Sequence, residues 1–293
     1  MGTWLRDKIE VQGGDVMEVS RVYTLSIPGV YVTVKGPQDS SSSSDVMMKM
    51  RERGMNVQIM KGGSLKVKGG GRIKDWVGYD EGEWWIQDPS STLPVLCMGT
   101  PPGLVVDLCC APGGKLMQLS GYGIPVVGVE LKGNRVRRVK ENLKRVGMEH
   151  VDVHEGDGRV WRVEGGKEVK GVLVDAPCSS TGTGRRNSDV MCYEGGDLEE
   201  LVELQKELVE NAVGMVGEGG RIVYSTCSLL REENEEQVER FLKELPVVMD
   251  PVREDEVAGF EDCVKEDGTV RVWPGEDRDG FFVARFRKTQ GGP

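Results

Sequence analysis

Leu104–Lys115 reads LVVDLCCAPGGK. An apolar, β-branched run meets an acid, two cysteines, a proline and a pair of glycines. That order predicts a buried strand breaking into a tight turn that opens a helix. A dinucleotide fold would carry G-x-G-x-x-G here, so that backbone can approach a pyrophosphate. Only Gly113 and Gly114 are present, after Pro112. The turn therefore suits a small nucleoside-like ligand better than a pyrophosphate.

Outward from this stretch the pattern repeats. VVGVE (Val126–Glu130), VDVHEGD (Val151–Asp157), GVLVDAP (Gly171–Pro177), RIVYSTC (Arg221–Cys227) and GFFVARFR (Gly280–Arg287) read as further strands. Helical faces lie between several of them. Val136, Val139, Leu143 and Val146 share one face that stops at Gly147. A broader face runs from Leu198 to Val213 with Asp197 as its N-cap, and Val238, Phe241 and Leu242 mark a third. Strands alternating with helices imply an α/β fold, a mostly parallel sheet covered on both faces.

Ligands of such sheets sit at the carboxyl ends of the strands. Asp107 to Lys115, Glu130, Asp157, Asp175 to Cys178 and Ser225 to Ser228 all fall there. Glu130, ending the second strand, suits ribose hydroxyls, and Asp157 suits an adenine amino group. Acids in place of arginines fit a ligand without phosphates and with a positive centre. S-adenosylmethionine is such a ligand.

The chain has 293 residues and a net charge of −10, enough for one large domain or a core with a smaller attachment. The charge is uneven: the first 75 residues carry 12 basic against 8 acidic side chains. A mildly basic front permits a local RNA-facing surface without demanding one. Residues 1–80 are accordingly expected to form a small α+β region ahead of a catalytic domain at 81–293. Within it, the serine-rich stretch Gly36–Asp45 is expected to be a flexible loop and Lys61–Asp75 a short strand pair.

Seven cysteines without a C-x-x-C pair, and only two histidines, argue against a structural metal and for a reducing compartment. No run of about eighteen apolar residues and no secretory signal is found. The expectation is a monomer inside the cell, in cytoplasm or organellar matrix, away from membranes.

Two cysteines stand out. Cys178, in VDAPCSSTGTGRR, and Cys227, in YSTCSLLREENEEQV, follow neighbouring strands and are each flanked by Ser or Thr. Together with DLCCAPGGK, GVE and GDGR, these motifs resemble the NOL1/NOP2/Sun (Sun/RsmB-like) family of RNA cytosine-5 methyltransferases. The resemblance runs from about Gly78 to Arg287 and includes GEWWIQDPSS and DGFFVARFR. It implies a class I S-adenosylmethionine-dependent fold, Rossmann-like with seven strands. The helical NusB-like domain that many bacterial members carry in front finds no counterpart.

The resemblance also implies roles. Cys227 would be the nucleophile that adds to C6 of cytosine, and Cys178 would help release the methylated product. Asp175 would meet the base at N3, and Lys115 would reach the same pocket. The cofactor would lie along Cys109, Cys110, Ala111, Pro112, Gly113, Gly114 and Lys115, with Glu130, Arg135, Asp157 and Asp175. Ribosomal RNA is the leading substrate and transfer RNA the alternative.

Arg185 and Arg186, after a glycine-rich turn, are expected to hold RNA phosphates. The family usually continues Arg-Arg-His-Pro-Asp, whereas this chain has Asn187-Ser188-Asp189. A histidine common in relatives before DGFF is replaced by Asp277 or Arg278. Glu232, Glu233, Glu235, Glu236 and Glu239 are expected on a solvated face.

The rival readings are a DNA or protein methyltransferase, a non-catalytic RNA-binding or ribosome-assembly factor that keeps the fold, and a nicotinamide enzyme.

Overall fold

The computed structural model describes residues 1–25, 29–36, 40–69 and 71–290. The sheet that positions the site has the order β10-β12-β9-β8-β5-β6-β7. Its parallel centre comprises β5 (Leu104–Leu108), β6 (Val126–Glu130), β7 (Asp152–Glu155), β8 (Val169–Asp175) and β9 (Val216–Thr226). β12 (Phe281–Lys288) runs antiparallel to β9, and β10 (Val247–Met249) and β11 (Val270–Val272) pair with β12. The expected seven strands are the path itself, and β11 is an eighth laid beside it.

Side-chain alternation builds a core on each face. Leu173 and Val223 point to one side, with Leu116 and Leu119 of α5 (Gly114–Gly121) and Val139 and Leu143 of α6 (Gly133–Arg145). Val172, Val174, Ile222 and Tyr224 point to the other, with Leu208 and Val209 of α7 (Leu198–Met215) and Phe241 of α8 (Glu235–Glu244). The short helix α4 (Leu93–Met98) leads into β5. Gly147, just past α6, takes the left-handed conformation (φ 65°) expected of a helix stop. Asp197 precedes α7 but makes no side-chain cap; its carboxylate accepts from the Tyr193 hydroxyl at 2.7 Å.

The N-terminal region has its own four-stranded antiparallel sheet, ordered β2-β3-β1-β4. Its strands are β1 (Val30–Val34), β2 (Asn56–Ile59), β3 (Leu65–Lys68) and β4 (Trp84–Ile86). The strand pair expected within Lys61–Asp75 therefore draws one member from before Lys61, and the sheet continues past residue 80.

The serine-rich loop is corrected. From Ser40 the chain is helical, α3 (Ser40–Glu52), while residues 37–39 lie outside the described residues. Serine costs roughly half a kcal/mol per helical residue. Burial of Val46 and Met50 against this sheet, and a bond from the Ser43 hydroxyl to the Gly63 carbonyl at 2.7 Å, override that cost.

The first two helices, α1 (Thr3–Val11) and α2 (Val16–Leu25), do not join the small sheet's core. They bury Leu5, Ile9, Val19, Val22 and Tyr23 against Leu229 and Leu230, directly after Cys227-Ser228.

Candidate active site

Parallel pairing of β8 and β9 sets Asp175 level with Ser225. The loops that follow therefore leave the sheet side by side. They bring the Cys178 and Cys227 sulfurs to 3.4 Å although 49 residues separate them. Two thiols this close share their acidity. The hydrogen bond from Cys178 pulls Cys227 below the usual thiol range, against the opposing effect of burial and with help from Ser180 at 3.5 Å. The same contact, then burial, pushes Cys178 well up. Of the two thiols, Cys227 is the more acidic.

Lys115, in the first turn of α5, reaches across. Its ammonium lies 2.7 Å from Asp175 Oδ2 and 2.9 Å from Ser91 Oγ, over the Phe281 ring at 5.3 Å. Ser225 Oγ donates to Asp175 Oδ1 at 2.9 Å. Asp175 is thus an ion-pair partner of Lys115 and holds it beside the thiols. Lys115, Asp175, Ser91 and Phe281 line a cavity of about 290 Å³, together with Asp107, Cys109, Cys110, Ala111, Pro112, Gly114, Thr183, Arg186, Cys227 and Asp279.

The far wall is the turn after β5. Gly113 sits at φ 105°, and a Cβ there would stand 3.3 Å from Val139 Cγ1, so the turn requires glycine. Asp107 is 1% exposed, and neither of its carboxylate oxygens has a hydrogen-bond partner. Burial, then the like charge of Asp175, holds it well above the ordinary carboxylate range. The sequence offered one signal for Asp107, an acid inside an apolar strand.

Glu130, 2% exposed, accepts from the Lys132 amide at 3.1 Å and from Arg135 at 3.3 Å. Arg135 also donates to the Ala111 carbonyl at 3.1 Å, tying α6 to the turn. Asp157 is not brought to the cavity. Arg159 grips its carboxylate at 2.7 Å, lowers its pKa, and shares a separate depression with it.

Two expectations are overturned. Arg185 does not face RNA: its side chain is fully buried, 2.9 Å from Asp88 Oδ2 and 3.0 Å from Asp279 Oδ1, and it donates to the Glu276 carbonyl at 2.8 Å. A guanidinium so buried and so engaged does not reach a phosphate in solvent. Arg186 is half-exposed at the cavity rim and pairs with Asp279. Nor is Glu233 on a solvated face. It is fully buried and accepts from the Ser179 amide and hydroxyl and from Gln205. Asp277, at the place of the missing histidine, pairs with Lys66 and accepts from the Tyr31 hydroxyl at 2.9 Å, linking the two sheets' regions.

Ser91, Phe281 and Asp279 were not legible as site residues, since each reaches the cavity only through tertiary packing. Among the described residues no cluster of three or more His, Cys, Asp or Glu could hold a metal. No described helix is long and apolar enough to cross a membrane.

Comparison with known proteins adds the following. The profile of the family described as 16S rRNA methyltransferase RsmB/F matches residues 100–287. Ribosomal RNA small subunit methyltransferase F of Cronobacter sakazakii is 34% identical over 71% of this chain and 45% of its own. Ribosomal RNA small subunit methyltransferase B of Yersinia enterocolitica is 35% identical over 74% of this chain and 49% of its own. The chain thus spans about half the length of these curated relatives. The crystal structure of NSun6 from Pyrococcus horikoshii with SFG superposes with a TM-score of 0.78, covering 99% of both chains at 16% identity, a likeness of fold.

Proposed function

The chain belongs to the RsmB/F family of 16S rRNA methyltransferases, and from that premise we propose that it methylates C5 of a cytosine in ribosomal RNA, using S-adenosylmethionine. The observation that carries this reading is the thiol pair at 3.4 Å, of which Cys227 lines a cavity shared with Lys115–Asp175 and the unpartnered Asp107.

The far wall fits the cofactor. An orphaned, buried carboxylate seeks a donor or a positive charge, and the turn at Cys109–Lys115 leaves backbone close to the cavity. Asp107, the turn and Glu130 at the end of β6 would hold it. When bound, S-adenosylmethionine supplies the electrophilic methyl group that an activated C5 takes up.

The chain's own residues provide the activation. C5 of cytosine is a weak nucleophile, and bonding of the Cys227 thiolate to C6 makes it an enamine carbon. The Lys115 ammonium, held by Asp175 and Ser91, steadies the charge that moves onto the base. Once Cys227 is spent in the bond to C6, the hydrogen bond that did most to raise the Cys178 thiol is gone. Cys178 then releases its proton to solvent and takes the proton on C5. The C6–sulfur bond breaks and returns the thiolate to Cys227. Arg186, at the rim, is placed to meet a backbone phosphate.

The test is a denaturing gel. Cys178→Ala is incubated with cellular RNA and S-adenosylmethionine, beside wild type and Cys178→Ala/Cys227→Ala. An RNase-sensitive slow band in the single variant alone is expected. A band that survives loss of Cys227 would reassign the nucleophile. Repeating the reaction with separated ribosomal and transfer RNA identifies the substrate, with ribosomal RNA expected to give the band.

A further inference from the structure

The buried pair Glu233–Asn234, in the turn before α8, has a disposition that the reaction just described does not use. Glu233 accepts from the Ser179 amide at 2.9 Å and from the Ser179 hydroxyl. Gln205, which donates to the same carboxylate at 2.9 Å, also donates to the Pro177 carbonyl at 3.0 Å. Both neighbours of Cys178 are thereby fixed from one buried point. Asn234 does the same one residue further on. Its Oδ1 accepts from the Thr226 hydroxyl at 2.6 Å, and its Nδ2 donates to the Ser228 carbonyl at 3.0 Å. Both neighbours of Cys227 are fixed from it.

Two facts argue that these bonds serve the loops. Asn234 stands at the N-cap of α8, where asparagine usually accepts from the helix's own amides, and it makes no such bond. Glu233 is a carboxylate with no exposure and no cation among its bonded partners. A buried charge without an ion pair is expensive unless donors surround it, and here every donor comes from the Cys178 loop or from Gln205.

We infer that Glu233 and Asn234 are positioning residues, one for each thiol: Glu233 sets the cysteine that ends the reaction, and Asn234 the cysteine that begins it. The inference rests on the roles proposed above. It predicts that neighbouring substitutions fail at opposite ends of the same cycle. Loss of global stability would instead lower both steps together.

The experiment uses the full chain, cellular RNA and S-adenosylmethionine, read by covalent adduct on a denaturing gel and by methyl incorporation. Glu233→Gln removes one acceptor and should raise the steady-state adduct about tenfold over wild type. In a Cys178→Ala background it should add nothing. Asn234→Ala misplaces the attacking sulfur and should lower methyl incorporation about a hundredfold. It should also lower the adduct that Cys178→Ala accumulates. Ser179→Ala removes the hydroxyl that Glu233 accepts from, along with its contacts to Thr181 and Ser228. Thr226→Val removes the hydroxyl that donates to Asn234 and accepts from the Ser228 amide. Both should show the same split more weakly, so the comparison survives if a first variant does not fold. Adduct and turnover falling in parallel in all four, or unchanged in all four, would overturn the assignment while Cys178→Ala still trapped adduct. No adduct in Cys178→Ala would overturn the roles of the cysteines, and this inference with them.

Discussion

The two walls of the cavity treat polar groups in opposite ways. On the wall that carries the thiols almost every buried donor and acceptor is matched: Arg185 to Asp88 and Asp279, Glu233 to Ser179 and Gln205, Asn234 to the Cys227 loop. On the opposite wall Asp107 is buried with both oxygens bare. A matched wall is rigid before anything binds, which the proposed attack of sulfur on one carbon would require. An unmatched wall has free energy to recover when a ligand arrives, and that recovery becomes affinity.

This contrast can be broken by unmatching the first wall. Arg185→Met leaves Asp88 buried without its cation and Asp279 with Arg186 alone, and should destabilise the fold by about 3–5 kcal/mol. The urea midpoint measures it, and a shift well under 1 kcal/mol would mean the wall is not held this way.

The second wall is sharpened by relieving it. A carboxyl whose folded pKa is raised keeps a proton that the unfolded chain gives up, so the folded state loses ground as pH climbs. Asp107 should therefore contribute a loss of stability as pH rises from about 4 toward neutrality. Asp107→Asn should be free of that contribution and more stable at neutral pH by on the order of 2 kcal/mol. Its S-adenosylhomocysteine should bind about tenfold more weakly. Thermal melts across pH and calorimetry read the two effects, and a less stable variant would contradict the orphaned carboxylate.

The smallest effect concerns the thiols themselves. Cys227 is pulled down chiefly by the hydrogen bond from Cys178. Cys178→Ala should therefore move the pH profile of Cys227 alkylation upward, measured with iodoacetamide and peptide mapping. An unmoved profile would assign the lowering to Ser180 and Lys115.

The sequence carried the large sheet well, because buried parallel strands are short β-branched runs and the turn chemistry sits at their ends. It carried the two cysteines for the same reason. It misplaced residues whose partners are remote. Arg185 lies 97 residues from Asp88 and 94 from Asp279, so nothing local distinguishes it from its exposed neighbour Arg186. Glu233 sits in a run of acids of which only Glu236 and Glu239 are solvated, Glu232 and Glu235 being largely covered in pairs with Lys8 and Arg271. Helix α8 starts only at Glu235, and the turn before it points Glu233 inward. The helix at Ser40–Glu52 was illegible because its stability comes from the sheet it covers rather than from its serines.

The seating of α1 and α2 on Leu229 and Leu230 has a consequence in time. Synthesis runs from N- to C-terminus, so these helices are made well before the residues they pack on. Leu229 and Leu230, together with their neighbour Trp273, emerge only late. Until then Leu5, Ile9, Val19 and Val22 present an uncovered apolar stripe, the kind of surface that chaperones shield on nascent chains. The Tyr23 hydroxyl, 2.5 Å from the Thr181 carbonyl, closes the same seam. Helices made early are thus among the last to be buried, and the packing beside the Cys227 loop is completed only when segments far apart in sequence meet.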